Sequence, residues 1–445
     1  MKAIQPRLLK GFRDYLPEQM IARKRMMDAI AEVFERYGFS PIQTPALEYS
    51  EILLGKCGAD AERLFYRFRD QGDRDVCLRY DLTVPLARVA AQYGNLPMPF
   101  KRYQIAPVWR AEKPGKGRYR EFFQCDVDIV GSGSLLADAE CVAVDNDVLS
   151  ALGAANVVIK INNRKILSGV LEEMIFERYG PDIGPSVLRT MDKLPAMGEE
   201  TVRELLAADN QLTPDVIDRL FGFLGIQGTN EEMLAGAESL IGSSKSGAEG
   251  LAELREVVGY AAGLRVPPER VQVDFSIARG LDYYTGTVFE TFLLDLPGFG
   301  SIMSGGRYDG LISTFLGRDV PAVGISVGVD RLFSGMTELG LVKTAKSPTR
   351  VLVARMGEEV LPQALAATSQ LRAAGLPTEL YLEEARLKKQ LKYANQRNIE
   401  AVVILGPDEI AAGQAAVKLM QKGEQLQVPL SELAQRVASL LCQRA

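Results

Sequence analysis

The chain of 445 residues contains no histidine. A Ser-His-Asp triad, a Cys-His pair and an HExxH metal site each need an imidazole, so all three kinds of site are excluded. If the protein is an enzyme, its catalytic groups must come from Arg, Asp, Glu, Gln, Tyr and the backbone.

Cysteines and long apolar runs are also scarce. Five scattered cysteines without a CxxC motif favour a reducing cytoplasm and argue against a disulfide framework or a zinc site. The sequence contains no run of about 18 apolar residues, so no transmembrane helix is expected. The start of the chain also lacks the apolar core of a signal peptide. Because the net charge is −5, any contact with nucleic acid must come from local basic patches.

The stretch 100–131 predicts a long antiparallel hairpin with a basic tip, "KPGKGR". Side chains alternate between the two faces of a strand. In the second strand Gln124, Asp126 and Asp128 therefore share one face. In the first strand Arg102, Gln104 and Arg110 share a face. One side of the sheet thus carries arginine, glutamine and carboxylates together, although a solvated surface face would show the same alternation.

Changes of pattern along the chain predict its domains. Residues 165–260 are helix-rich and read as an inserted helical domain, whereas 298–311 are rich in turn-forming residues. The polar segment 341–349 reads as a linker, and strands and helices then alternate at βαβ spacing through 350–445. Residues 1–164 and 261–340 would form the core.

Four arginines lie in Gly- or Pro-punctuated settings, namely Arg110, Arg118, Arg279 and Arg331. Guanidinium groups that converge on one sheet face suit a polyphosphate, which they bind in a bidentate manner. Each one could instead be a solvated group or an ion-pair partner. In particular, Asp282 could pair with Arg279 structurally.

Long motifs in this region resemble a known family. "VWRAEKPGKGRYREFFQCDVDIVG" (108–131) resembles motif 2 of the class II aminoacyl-tRNA synthetases, and "PAVGISVGVDRL" (321–332) resembles their motif 3. "ARGLDYYTGTVFE" (278–290) and "SGGRYDGL" (304–311) are similar to the two histidine-binding signatures of histidyl-tRNA synthetases. The resemblance spans essentially the whole chain. It implies an antiparallel-sheet α+β catalytic core, a helical insertion and a C-terminal α/β anticodon-binding domain.

The segments "GFRDYLP" (11–17) and "LRYDLTVPLAR" (78–88) are similar to the same family. The second segment has Asp81, which is the form common in the eukaryote-like branch. Many bacterial members carry glutamate at this position instead. "FSPIQTPALEYSEILL" (39–54) resembles the family's dimer-forming segment, so a two-fold homodimer is expected.

The resemblance implies roles for individual residues. Those implied in ATP binding are Arg110, Glu112, Arg118 and Arg331. Those implied in histidine binding are Asp81, Thr83, Gln124, Asp128, Arg279, Tyr283, Tyr284 and Tyr308. Those implied in tRNA binding are Lys116, Arg118, Lys389 and Arg397, the last two in a basic helix with Arg386 and Tyr393. Arg110, Gln124 and Arg279 are the residues expected to be catalytic.

Within these sets the implied contacts are specific. Arg279 would contact the α-phosphate and the histidine carboxylate, while Asp81, Thr83 and Gln124 would hold the α-ammonium. Asp128 and Tyr284 would read the two imidazole nitrogens. The reaction would need ATP with its Mg²⁺, L-histidine and tRNA(His), but no metal site of the protein itself and no membrane.

Two functions other than that of a synthetase are compatible with parts of the sequence. A histidine-binding regulatory paralogue typically lacks the C-terminal domain and loses synthetase motifs, which are present here. A sensor of uncharged tRNA sits in a longer chain with a kinase domain, which is absent. The lack of histidine could be chance or sequence editing, or it could let the chain be translated when charged histidyl-tRNA is scarce.

Overall fold

The computed structural model describes residues 4–54, 63–278 and 283–442. The chain divides into two compact units, residues 1–13 with 26–342 and residues 14–25 with 343–445. Within the described residues, no helix combines the length and apolarity that a membrane span requires.

An eight-stranded mixed sheet forms the centre of the first unit. Its order is β1-β5-β6-β11-β10-β9-β7-β8, and the five inner pairings are all antiparallel whereas the two edge strands pair in parallel. A separate three-stranded antiparallel sheet has the order β2-β4-β3. The strands are β1 Ser40–Pro41, β2 Leu47–Tyr49, β3 Arg67–Arg69, β4 Asp75–Leu78, β5 Phe100–Trp109, β6 Glu121–Val130, β7 Val157–Asn163, β8 Val271–Val273, β9 Thr287–Leu293, β10 Met303–Arg307 and β11 Ala322–Gly328.

Helices flank and follow these strands. They are α1 Pro17–Arg36, α2 Ser50–Leu54, α3 Thr83–Gln92, α4 Leu135–Ala151, α5 Arg164–Leu171, α6 Glu177–Tyr179, α7 Gly184–Met191, α8 Leu194–Met197, α9 Glu199–Ala208, α10 Pro214–Leu224, α11 Asn230–Ile241, α12 Lys245–Gly263, α13 Ser313–Leu316 and α14 Val329–Glu338. A π-helical turn covers Glu172–Phe176, and 3₁₀ turns cover Pro181–Ile183 and Pro268–Arg270. The predicted helix-rich character of 165–260 is confirmed.

Helix α1 shows why the local sequence folds as it does. Ile30 and Phe34 are fully buried on one stripe, as the helical spacing of apolar residues predicts. Gly38 follows with φ +77°, a conformation that glycine adopts without the strain that a Cβ would add, and so the helix ends there.

Strand β10 differs from the sequence-based prediction, which gave this segment only turn-forming character. Its two glycines are required by their neighbours. A Cβ on Gly305 would lie 2.2 Å from the Gly324 carbonyl oxygen, and one on Gly306 would lie 2.6 Å from the Thr287 carbonyl oxygen. Glycine here marks close backbone approach within a central strand, and local propensity alone does not reveal it.

The second unit contains a five-stranded sheet of order β13-β12-β14-β15-β16. The first three of these strands are parallel, which confirms the predicted βαβ pattern, and the last two pair antiparallel. The strands are β12 Val351–Val353, β13 Thr378–Leu380, β14 Ala401–Ile404, β15 Gln414–Leu419 and β16 Gln425–Pro429. The helices are α15 Leu361–Ala373, α16 Leu387–Gln396, α17 Pro407–Ala411 and α18 Leu433–Cys442, with a 3₁₀ turn at Leu430–Glu432.

Candidate active site

The β5–β6 hairpin places polar side chains on one face of the large sheet. Its register pairs Arg102 with Asp128, Gln104 with Asp126 and Ala106 with Gln124. Laterally paired residues point to the same face, so the predicted polar face is present. It is not a solvated surface, because Arg102, Gln124, Asp126 and Asp128 are all buried.

Strand β11 lies beside these carboxylates and contributes glycines. Gly324 pairs with Asp128, and a Cβ at Gly324 would lie only 2.1 Å from Asp128 Oδ1. No side chain larger than hydrogen fits there while Asp128 keeps its position. The small residues of this strand therefore make room for the carboxylate.

Asp128 is held from two sides. Arg102 Nη2 lies 2.6 Å from Asp128 Oδ2, and both side chains are almost completely buried. The Tyr308 hydroxyl donates a hydrogen bond to Asp128 Oδ1. Burial raises the pKa of Asp128, whereas Arg102 and the Tyr308 hydrogen bond act in the opposite direction and favour the ionised form.

Asp126 is a cavity residue to which the sequence analysis gave no role. Burial raises its pKa to about 7, with Arg102 opposing and Asp128 reinforcing that shift. Its Oδ1 is buried without a hydrogen-bond partner among the described residues. The alternation of the strand had placed Asp126 on this face, but no motif marked it as functional.

Gln124 on β6 and Ser326 on β11 are diagonal neighbours, since the register pairs Ser326 with Asp126 and Gln124 with Gly328. Gln124 Nε2 donates to Ser326 Oγ at 2.5 Å. The Gln124 Oε1 atom is buried and has no hydrogen-bond partner in the described part of the chain. This amide therefore still offers an acceptor beside the carboxylates, as a group that binds an ammonium would.

Asp81 lies two residues before helix α3, which begins at Thr83. Its Oδ1 accepts hydrogen bonds from the backbone N–H groups of Thr83 at 3.2 Å and Val84 at 3.0 Å. These are donors that the first turn of a helix leaves without intrahelical partners. Burial raises the pKa of Asp81, and the Val84 N–H and Arg110 oppose that rise.

Arginines occupy the other part of the site. Arg110 donates from Nε to the Tyr80 carbonyl at 3.1 Å and stacks its guanidinium 4.1 Å from the Tyr80 ring centre. Arg118 Nε lies 3.2 Å from Glu112 Oε2. Glu112 Oε1 lies 3.9 Å from Arg110 Nη1, at the edge of ion-pair distance. Glu112 thus lies between the two arginines.

Arg331 enters from the first turn of helix α14. Its Nη2 donates to the Phe299 carbonyl at 2.8 Å. A Cβ on Gly300 would lie 2.7 Å from that Nη2 atom, so glycine leaves the space in which the guanidinium lies. The preceding residue, Asp330, accepts from the Phe123 N–H at 2.9 Å and attaches the helix to β6.

These groups line a single cavity of about 360 Å³. The predicted residues that line it are Asp81, Thr83, Arg110, Glu112, Arg118, Gln124, Asp128, Tyr283, Tyr284, Tyr308 and Arg331. Lining residues that the sequence analysis did not assign include Tyr80, Phe122, Asp126, Ser326 and Asp330.

The remaining predicted residues either fall outside the described part of the chain or do not line the cavity. Arg279 and its alternative partner Asp282 fall outside the described residues. Lys116, at the hairpin tip, pairs with Glu338 at 2.7 Å. In the second unit Lys389 is exposed, whereas Arg397 donates to the Tyr393 hydroxyl and to Ser347 Oγ.

The geometry gives the cavity two chemically different parts. Along the hairpin, carboxylates and tyrosine hydroxyls gather where Asp128 lies, and guanidinium groups gather towards the tip. The first part can hold an ammonium and a ring with hydrogen-bonding nitrogens. The second can stabilise negative charge on phosphate oxygens.

Comparison with protein families agrees with this arrangement. The model of the family "Histidyl-tRNA synthetase" matches residues 11–332. The model "Anticodon binding domain" matches residues 350–440. The two matches together cover most of both compact units.

Individual relatives extend along the whole chain. Histidine--tRNA ligase of Rhodopirellula baltica is 44% identical and covers 96% of each chain. The ligase of Aeropyrum pernix is 42% identical, over 98% of this chain and 99% of the other. The crystal structure of histidyl-tRNA synthetase from Nostoc sp. PCC 7120 has a TM-score of 0.88 at 35% identity and covers 98% of this chain and 100% of that one. The chain belongs to the histidyl-tRNA synthetase family.

Proposed function

We propose that the cavity activates L-histidine with ATP to form histidyl-adenylate and that the chain transfers histidine to tRNA(His). The activity is that of the full-length relatives, which are histidine--tRNA ligases. The observation that carries the assignment of the cavity is its division into a carboxylate and tyrosine part and an arginine part. The proposed role of the protein in translation and its scattered cysteines support a location in the reducing cytoplasm.

The activation step needs positioning and charge stabilisation more than proton transfer. The histidine carboxylate attacks the α-phosphorus of ATP, the bond to the bridging oxygen breaks, and pyrophosphate leaves. Negative charge spreads over the phosphate oxygens, and preorganised arginines stabilise it. In our proposal Arg110 and Arg331 supply these cations, with Arg118 and Glu112 beside the nucleotide and Arg279 at the α-phosphate. A chain without histidine can perform this chemistry.

Magnesium would enter with the nucleotide. Among the described residues there is no cluster of three or more Cys, Asp or Glu side chains that could hold a metal by itself. Mg²⁺ usually keeps several waters and binds through one or two carboxylates plus substrate phosphates. Glu112 is the carboxylate beside the cavity arginines, and it could contribute to such binding while the ion neutralises phosphate charge.

Histidine would be recognised by hydrogen bonds at both ends. We assign the α-ammonium to Asp81, Thr83 and Gln124, and we add Asp126, whose carboxyl lies next to Gln124 on the same face. Asp128 and Tyr284 would contact the imidazole nitrogens, because a carboxylate accepts and a hydroxyl can donate or accept. Tyr283 and Tyr308 complete the wall. An analogue without these nitrogens would leave buried polar groups unpaired and be rejected by roughly 10⁴-fold.

For tRNA we propose contacts from both units. The hairpin tip with Lys116 and Arg118 would meet the acceptor end, and helix α16 with Lys389 would meet the anticodon arm. Arg397 supports this role less directly, because Tyr393, Ser347 and Glu379 already surround its guanidinium. We retain the proposed domains as 1–164 with 261–340, 165–260 and 350–445, joined by a linker at 341–349.

A homodimer is supported by an apolar face on the three-stranded sheet. The register places Leu47, Tyr49, Phe68, Val76 and Leu78 on one side of it. Leu47, Tyr49 and Phe68 are 44%, 51% and 45% exposed. A contiguous apolar face of this kind marks an interaction site, and its position in the segment similar to the family's dimer motif points to a second copy. Sedimentation of the wild type and of the Phe68→Lys variant tests this proposal. The mass of a monomer for both proteins would refute the homodimer.

The decisive experiment is ATP–pyrophosphate exchange with each of the twenty amino acids in the absence of tRNA. Exchange with histidine alone is expected. Histidine binding by calorimetry without exchange would instead identify a regulatory paralogue, although the match of the anticodon-binding model to 350–440 argues against that alternative.

A variant separates catalysis from binding. Arg279→Ala should lower exchange by about 10²–10³-fold, the scale of losing one preorganised charge donor. Arg318→Ala removes an exposed arginine outside the cavity lining and is the matched control. If the two variants exchange equally, Arg279 has no catalytic role.

A further inference from the structure

The N-terminal residues 7–13, here called the basic strip, lie against the tip of the β5–β6 hairpin. Residues 7–13 and 113–120 contain no Asp or Glu. They carry seven cations, namely Arg7, Lys10, Arg13, Lys113, Lys116, Arg118 and Arg120. In a chain of net charge −5, this local concentration of positive charge suits an anionic partner.

Four contacts attach the basic strip to the hairpin and to Tyr66 within the first unit. The Arg120 N–H donates to the Gly11 carbonyl at 2.8 Å, and Arg120 Nη1 donates to the Lys10 carbonyl at 3.3 Å. Arg13 Nη1 donates to the Tyr119 hydroxyl at 2.6 Å. The Phe12 ring packs edge-on against Tyr66 at 6.1 Å. These contacts use backbone oxygens and aromatic groups, so the strip is held in one place.

Gly11 makes the close contact possible. Its φ of +89° lies in the region that favours glycine, and a Cβ there would lie 2.8 Å from Arg120 Cδ and 2.9 Å from Pro114 Cγ. A Cβ at this position would force the strip or the Arg120 and Pro114 side chains to shift. The local sequence is therefore suited to holding the strip against the tip.

The hairpin tip is part of the cavity wall, because Gly117, Arg118 and Tyr119 line the cavity. The strip therefore contacts a segment that itself lines the cavity. Arg7 and Lys10 are exposed. Lys10 contacts Arg120 through its backbone carbonyl, so this contact does not use the Lys10 side chain. The Arg7 and Lys10 side chains are both exposed on a backbone segment that contacts the hairpin tip, and that tip lines the cavity.

We propose that the basic strip binds backbone phosphates of the tRNA acceptor end, with Arg7 and Lys10 as the contacting side chains. This rests on the proposed function, in which the terminal ribose hydroxyl must reach an adenylate inside the cavity. Lysine and arginine contacts to phosphates position a nucleic acid without reading its sequence. The strip would act as a second wall of the entrance. It would contact phosphates and no base, so it would not distinguish one sequence from another.

The test is the double variant Arg7→Gln with Lys10→Gln, which keeps the backbone anchors. Its Kd for a tRNA(His) transcript should rise about ten-fold at low salt, and the slope of log Kd against log salt should shrink by about 2. The control is Lys193→Gln with Arg318→Gln, which removes two exposed cations elsewhere and makes the same change in net charge. This control should bind within about two-fold of the wild type.

Two further measurements locate the contact. The loss of affinity should persist with a minihelix that contains only the acceptor stem, and ATP–pyrophosphate exchange with histidine should be retained. Equal tRNA affinity in the double variant and its control would overturn the proposal, as would a loss seen only with full-length tRNA or a matching loss of exchange. A wild type without exchange would refute the proposed function separately, because tRNA binding is measured without catalysis.

Discussion

Arg102 and Asp128 form an ion pair of 2.6 Å in which the arginine side chain is completely buried. The two residues are lateral neighbours on β5 and β6. Arg102 is thus the internal cation of a carboxylate cluster that also includes Asp81 and Asp126, whose ionised forms it stabilises. The pair joins the stability of the sheet to the charge state of the histidine-binding part of the cavity.

Arg102→Met should therefore change the pH dependence of the reaction. Removal of one partner of a buried pair costs about 3–5 kcal/mol, and the pKa of Asp128 should rise further. The KM for histidine should increase, and the acidic limb of kcat/KM in the exchange assay should move to higher pH. Arg102→Lys should restore part of both. A variant that is less stable but has an unshifted pH profile would limit Arg102 to a structural role.

Asp126 should make histidine binding depend on pH near neutrality. Its pKa is raised to about 7 by burial, so it is mostly protonated at pH 6 and ionised at pH 8. Only the ionised form attracts an α-ammonium, and the KM for histidine should therefore fall between these values. Asp126→Asn should lose that part of the change. Free histidine titrates in the same range, so the difference between the two profiles is the relevant quantity, and identical profiles would contradict the assignment.

Gly324→Ala should disturb Asp128 directly. The added methyl would lie 2.1 Å from Asp128 Oδ1, and such overpacking typically costs about 1–3 kcal/mol. The KM for histidine should rise along with the loss of stability. Gly259→Ala is the matched control, because nothing lies within 4 Å of its Cβ in the exposed part of helix α12. It should stabilise the chain by about 0.5–1 kcal/mol. Equal kinetics for the two variants would contradict the prediction.

Lys389 and Arg397 should behave differently although both belong to the basic helix region. Lys389 is exposed, whereas Arg397 donates to Ser347 Oγ at 2.9 Å and lies 3.5 Å from Glu379. Lys389→Gln should weaken tRNA binding and reduce its salt dependence without changing the melting temperature. Arg397→Gln should lower the melting temperature. The opposite pattern in binding and thermal-shift assays would reverse their assignment.

The complete lack of histidine predicts a difference in synthesis under starvation. If the chain is free of histidine so that it can be made when charged tRNA(His) is scarce, exposed positions changed to histidine should reduce its synthesis during histidine limitation. Pulse labelling of the chain expressed from its own locus measures this, with the same positions changed to asparagine as control. Equal synthesis of both versions would leave chance or sequence editing as the explanation.

Much of the architecture could be predicted from local patterns. Helix α1, the β5–β6 hairpin and the βαβ order of the second unit all follow from periodicity and turn residues. Strand β10 did not, because its glycines serve neighbours that are distant in sequence. The ladder β15–β16 was also not anticipated.

The sequence by itself determined which residues alternate on the polar face of the hairpin and which motifs the chain carries. That information is local, since strand periodicity and motif spacing depend only on near neighbours. Only the tertiary structure decided that Asp81 before α3, Arg331 from α14 and Tyr308 after β10 line one cavity with Gln124 and Asp128. It also decided that Asp126 belongs to that cavity and that Arg102 pairs with Asp128. Distance between residues far apart in the chain is set by sheet pairing and packing, which no local pattern encodes.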